Sequence, residues 1–221
     1  MKTKITTAAF ILAELVLYVL ILTQGGDTLR LSEFISIALC AVYTLIIRGK
    51  TKGLLPLATL LTLSADFCLV ICTPIRRLEG MLFFLGVQGV YAYILHRQIN
   101  KKLLVWFRVG LTALAVAIAL LVLGKDTDAL ALVSLCYYAN LVFNLGMAFS
   151  RFRQNVLFAI GLLLFLLCDT VIGLQVASTG YLNISEGTFV YNIINAPINL
   201  AWLFYLPSQV MLAFSDKTQN K

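Results

Sequence analysis

The sequence predicts an all-α, polytopic membrane bundle of eight transmembrane helices with both termini on the cytoplasmic side. Three observations carry this. Of 221 residues, 61% are hydrophobic and only 12% are charged, too little charge to dress a water-soluble surface. Apolar runs fall near 5–23, 31–47, 53–72, 79–95, 103–123, 128–149, 154–176 and 189–214, and each is about long enough to cross ~30 Å of hydrocarbon at 1.5 Å per residue. Charge also alternates between the two ends of those runs. Lys2, Lys4, Arg48, Lys50, Lys52, Arg97, Lys101, Lys102, Arg151, Arg153, Lys217 and Lys221 fall on the N-terminal side, twelve in all. Only four, Arg30, Arg76, Arg77 and Lys125, fall on the other. Positive charge marks the cytoplasmic face, so the count and the orientation support one another.

The first run follows Lys2 and Lys4, which imitate a secretory n-region, but Glu14 interrupts it and no A-x-A site follows. It is expected to remain as a helix. The second and fourth runs are marginal in length, and a re-entrant segment there is the main alternative to eight crossings. The third carries Asp66 about two thirds of the way through, and the fourth places Phe84, Gln88 and Tyr91 on one face. Arg108 sits near the start of the fifth, close enough to the surface to snorkel towards water. The sixth carries Tyr137, Asn140 and Asn144 at intervals of 3 and 4, and the seventh carries Asp169. In the eighth, Asn192, Asn195, Asn199, Trp202, Tyr205 and Gln209 recur at intervals of 3, 4, 3, 3 and 4, one stripe along one helical face. Pro197 and Pro207 each remove a backbone bond and should kink that helix.

The loops are short, so all residues from 1 to 221 form a single membrane domain. The longest loop, about 177–188, holds the sequon Asn183-Ile184-Ser185, read as a chance occurrence. The sequence Leu61-Thr62-Leu63-Ser64-Ala65-Asp66 is echoed by Leu164-Phe165-Leu166-Leu167-Cys168-Asp169. Four crossings separate them, which suggests a parallel repeat of four helices.

Several functions are set aside by residue type. The net charge of +7 comes from topology signals between apolar runs, so no nucleic-acid partner is expected. The five cysteines, Cys40, Cys68, Cys72, Cys136 and Cys168, lie inside apolar runs without a CxxC pair and read as packing residues. The sole histidine, His96, closes the fourth run, which excludes a three-histidine zinc site and argues against a Ser-His-Asp device. No metal and no cofactor are expected.

Carboxylates at membrane depth are costly and are functional candidates. Glu14, Asp66 and Asp169 qualify. The two aspartates lie at matched depth in parallel helices, where neighbouring carboxyls ionise unequally and can act as acid and base. Glu14 has no matching partner and serves either packing or substrate contact. The amide and tyrosine stripes should turn inward, because lipid cannot satisfy them, and line a polar cavity with the aspartates. The alternative is that these groups only lock helix packing.

The pattern resembles the YhhN-like lysoplasmalogenase family of eight-helix membrane proteins. Its third-helix motif, Phe-Ser-x-x-Gly-Asp, keeps its aspartate here as Asp66. Gly80, Phe84, Gln88 and Tyr91 keep the spacing of a Gly-Phe-His-Tyr motif, with glutamine replacing the histidine. Gly161, Phe165, Cys168 and Asp169 are similar to Gly-x3-Phe-x2-Ser-Asp, and Tyr205 with Gln209 to a closing Tyr-x3-Gln. Tyr138 and Met147 also match family positions. The resemblance implies hydrolysis of the vinyl ether bond of lysoplasmalogens to a fatty aldehyde and a glycerophospho-alcohol. It implies Asp66 and Asp169 as the catalytic pair and a lysophospholipid as the partner. The residues themselves leave open a non-catalytic lipid- or solute-binding or transport protein that uses the same cavity. Short loops and absent sorting signals suit a bacterial cytoplasmic membrane.

Overall fold

The computed structural model describes residues 2–23, 27–47, 54–99, 102–124, 127–180 and 184–218. Arg48, Lys50, Lys52, Lys101, Lys125, Lys221 and the sequon's Asn183 lie outside them. Among the described residues the chain forms helices α1 (Lys2–Thr23), α2 (Asp27–Ile46), α3 (Leu54–Asp66), α4 (Arg77–Ile99), α5 (Lys102–Leu123), α6 (Ala129–Phe149), α7 (Val156–Gly180), α8 (Phe189–Ile194) and α9 (Leu200–Thr218). A π-helical turn, Phe67–Ile71, continues α3 directly after Asp66. The helix starts follow local chemistry. Pro56 sits in the first turn of α3, where its missing N–H has no intrahelical partner to lose. The Asp128 carboxylate accepts from the Ala131 amide at 2.7 Å and caps α6, and Asn155 accepts from the Phe158 amide at 3.2 Å at the start of α7. Each satisfies a donor that the helix cannot.

Six helices among the described residues are long and apolar enough to cross a membrane: 4–23, 29–46, 54–71, 77–97, 129–149 and 156–179. Two shorter apolar helices cover 104–118 and 200–215. Many large apolar side chains face outward, Trp106, Phe107 and Leu121 among them, as a lipid-facing surface requires. The chain is thus an integral membrane protein.

The expected eighth run is not one helix. It breaks at residues 195–199, between α8 and α9. Pro197 cannot donate to a helix ladder, and two asparagines supply substitutes on either side. The Asn195 amide donates to the Tyr191 carbonyl at 3.0 Å, and Asn199 accepts from the Trp202 amide at 3.3 Å. These local bonds turn a kink into two ends. Pro207 is tolerated inside α9.

Helix neighbours follow one pattern twice. In the first half α1 packs on α2, α2 on α3 and α3 on α4; in the second α5 packs on α6, α6 on α7 and α7 on α9. The halves join where α4 meets α6 and α9 meets α2. The main core is built from α3, α4, α6, α7 and α9, with Leu141, Leu162, Phe165 and Leu212 fully buried. A smaller cluster of Phe10, Cys40, Tyr43 and Ala213 ties α1 and α2 to α9. Helix α5 contributes no buried side chain among the described residues and has its substantial packing on α6 alone.

Candidate active site

The third helix and the last one bring the first carboxylate inside. Asp66 ends α3 where the backbone loosens into the π turn, and only 4% of it is exposed. From α9, the Tyr205 hydroxyl donates to Asp66 Oδ2 at 2.7 Å. Asp169, half-buried in the middle of α7, takes a short hydrogen bond from the Tyr137 hydroxyl of α6. Both tyrosines pack against the one ring of Phe165. The carboxyls that matched depth selected are therefore in one site, each with a tyrosine donor on one oxygen.

Aromatic rings bind the two pairs together. Phe165 lies 5.6 Å from Tyr205 and 6.3 Å from Tyr137 between ring centroids. Phe84 lies 5.7 Å from both Tyr137 and Phe165. Such contacts fix ring orientation and so aim the hydroxyls at the carboxylates. The glycines of the two motif-like runs admit close approach. A Cβ on Gly161 would lie 2.8 Å from the Leu212 side chain and 3.3 Å from its backbone nitrogen, and one on Gly80 would lie 2.6 Å from the Leu69 side chain.

A second polar group lies further along α4 and α6. The Asn144 amide donates to Gln88 Oε1 at 2.9 Å and to the Gln88 carbonyl at 3.0 Å. Gln88 and Tyr91 are fully buried, as the inward-face reading of α4 requires. Gln88 Nε2, the Tyr91 hydroxyl, Ser208 Oγ and Gln209 Nε2 are buried without a hydrogen-bond partner. Buried donors of this kind normally have acceptors.

Three sequence expectations need correction. Asn192, Asn195 and Asn199 are exposed, because the break before α9 removes them from the face that carries Tyr205 and Gln209. Arg108 does not snorkel. It donates to Asn140 Oδ1 at 3.1 Å, to Asn144 Oδ1 at 2.6 Å and to Met147 Sδ at 3.5 Å, and its guanidinium lies 4.5 Å from the centroid of the Phe143 ring. Asn140 thereby faces α5. For Glu14, of the two roles left open, the contacts are those of packing: Ser36 Oγ donates to it at 2.6 Å and Cys40 Sγ at 3.5 Å, which joins α1 to α2. Glu33, absent from the sequence candidates, is also buried and interacts with Asp66. The apolar run was cut at 31, which placed Glu33 at a boundary, whereas α2 starts at Asp27 and draws it inside.

A largely apolar groove of about 370 Å³ opens between Phe34, Leu63, Ser64, Phe67, Cys68 and Phe83, and Asp66 is not part of its lining. The cysteines are free, with Cys40, Cys68 and Cys168 buried.

Fold and interior together define a polytopic membrane protein whose polar site is built around two tyrosine-bonded aspartates. The comparison with known families agrees with the motif spacing: the sequence model of the YhhN family matches residues 30–215, and the chain belongs to that family. No curated protein and no solved structure matches it.

Proposed function

We propose that the protein hydrolyses the vinyl ether bond of a lysoplasmalogen within the membrane, with Asp66 and Asp169 as the acid and base. The observation that carries this reading is the meeting of two carboxyls in one site, Asp66 buried and Asp169 half-buried, each holding one oxygen in a tyrosine hydrogen bond. The second oxygen of each carboxyl has no side-chain bond among the described residues and is left to the reactants.

The chemistry follows from the substrate. A protonated carboxyl adds a proton to the vinyl carbon remote from oxygen, which leaves an oxocarbenium ion. The ionised partner stabilises that cation and takes a proton from the attacking water. The hemiacetal so formed collapses: its hydroxyl proton leaves, the carbon–oxygen bond to glycerol breaks, and the glycerol oxygen takes up a proton. One water is consumed, and one aldehyde and one alcohol are released. Which aspartate starts protonated is a property of the pair. The tyrosines supply donors that follow the shifting charge without leaving the site.

The apolar groove lined by α3 and its π turn suits the aliphatic chain of a lipid, and the free Nε2 donors of Gln88 and Gln209 suit its oxygens. Gln88 stands where the family motif has histidine, so it hydrogen-bonds without exchanging a proton at neutral pH. The same free donors also favour a second reading, a lipid-binding or transport protein without chemistry.

The deciding assay is aldehyde release from a lysoplasmalogen by purified protein in detergent micelles. Ligand-dependent thermal stabilisation with no aldehyde selects the second reading. The bilayer is read as a bacterial cytoplasmic membrane with both termini inside. A C-terminal green fluorescent protein fusion should fluoresce, and a C-terminal alkaline phosphatase fusion should be inactive.

A further inference from the structure

Arg108 places a full positive charge among neutral partners. Its hydrogen bonds go to two amide oxygens and a thioether; a phenyl face covers it, and none of these partners is charged. A cation at membrane depth ordinarily pairs with an anion. Here the hydrogen bonds run inward instead. Arg108 donates to the Asn144 oxygen, the Asn144 amide donates to the Gln88 oxygen, and the chain ends on the fully buried Gln88 Nε2, which has no acceptor.

Its position along the bundle is equally specific. Asn144 follows Tyr137, the partner of Asp169, by seven residues on α6, which is roughly 10 Å along the axis. In a lysophospholipid of the vinyl ether type, roughly six single bonds of about 1.5 Å separate phosphorus from the reacting carbon, a comparable reach. On α4 the order is Phe83, which lines the apolar groove, then Phe84 beside Tyr137, then Gln88. The carboxyls and the cation are therefore spaced along the bundle as the ether and the phosphate are along the lipid.

We infer that Arg108 is the anion-recognition residue of this site and takes the phosphodiester of a single-chain phospholipid, entering where α5 packs on α6. This deepens the hydrolase reading and rests on it for the position of the reacting bond. The chemistry recognised is a phosphate oxyanion, for which a guanidinium is well suited, and a free phosphate ion could in principle share it.

The test measures binding, with a ligand that cannot be cleaved. Tritiated 1-O-alkyl-lysophosphatidylethanolamine and 1-O-alkylglycerol of the same chain length are titrated onto the full chain in maltoside micelles. The wild type should prefer the phospholipid by about ten-fold, in line with a charge-assisted contact. Arg108→Gln should bring the two ligands within about two-fold while leaving alkylglycerol binding unchanged, and Arg108→Lys should keep part of the preference. Equal weakening of both ligands in Arg108→Gln would mean a packing role and overturn the proposal. So would an undiminished phospholipid preference. Displacement of the lipid by millimolar inorganic phosphate would make free phosphate the ligand and also overturn it. If Arg108→Gln does not fold, Arg108→Lys decides: a preference equal to wild type in the face of altered donor geometry counts against Arg108. A wild type that prefers the phospholipid but releases no aldehyde fails the hydrolase reading alone. One that releases aldehyde without that preference fails the Arg108 proposal alone.

Discussion

The interior holds two polar regions of opposite character. Around Asp66 and Asp169 the protein supplies acceptors, and tyrosine hydroxyls satisfy one oxygen of each. Around Arg108 it supplies donors, and the relay of amides runs out of acceptors at Gln88 Nε2. The acidic region sits in the main core between α3, α6, α7 and α9. The basic region hangs on α5, which packs substantially on α6 alone. The acidic centre is thus packed from several helices, whereas the helix that carries the cation leans mainly on one neighbour.

The largest expected effect separates the regions outright. Replacing both aspartates with asparagine (Asp66→Asn, Asp169→Asn) should lower aldehyde release about 10³-fold or more, and each single variant should lose nearly as much, because the pair works as a unit. Phospholipid binding should persist. Full activity in the double variant would erase the distinction between the two regions.

Tyr205→Phe should come next. It removes the 2.7 Å donor to Asp66 and keeps the ring against Phe165. A hydrogen bond to a charged group is worth about 1.5–3 kcal/mol, so kcat should fall by about 10-fold to 100-fold with KM little changed. An equal rise in KM would show that the acidic region also holds the headgroup.

Gly161→Val probes rigidity. The added side chain meets Leu212, backbone included, and should destabilise by about 1–3 kcal/mol through overpacking, read as a lower thermal midpoint in micelles. Gly173→Ala, where nothing lies within 4 Å of an added Cβ, should be neutral or gain about 0.5–1 kcal/mol. Matching losses in the two variants would deny that the α7–α9 crossing is the tight one.

The smallest effects lie at the margins. Asn140→Ala removes one of the Arg108 acceptors and should raise KM a few-fold, about 1 kcal/mol, at constant kcat. Glu14→Gln keeps an acceptor for Ser36 and should change activity and thermal midpoint by less than about 1 kcal/mol. A large loss in Glu14→Gln would extend the acidic region into α1.

The apolar runs and the two aspartates were legible because length and depth are properties of one segment at a time. So were the inward faces of α4 and α6, whose residues recur at the helical period. What was not legible depends on neighbours. Nothing within α5 tells Arg108 to turn inward, since its acceptors lie on α6. Pro197 was visible, but the break needed Asn195 and Asn199 to satisfy the two new helix ends. Glu33 was hidden by a boundary drawn four residues too late. The pairing of Asp66 with Tyr205 rather than with a nearer tyrosine is a fact of assembly.

That pairing spans 139 residues of chain and sets an order of events during synthesis. Asp66 enters the membrane long before its donor exists. At typical translation rates of about 5–20 residues per second the interval is roughly 10–30 s. During it α3 carries a carboxyl that lipid cannot satisfy, beside the Glu33 of α2. The last helix is therefore the closing piece of the bundle. A chain that stops short of α9 leaves the buried Asp66 without its tyrosine donor.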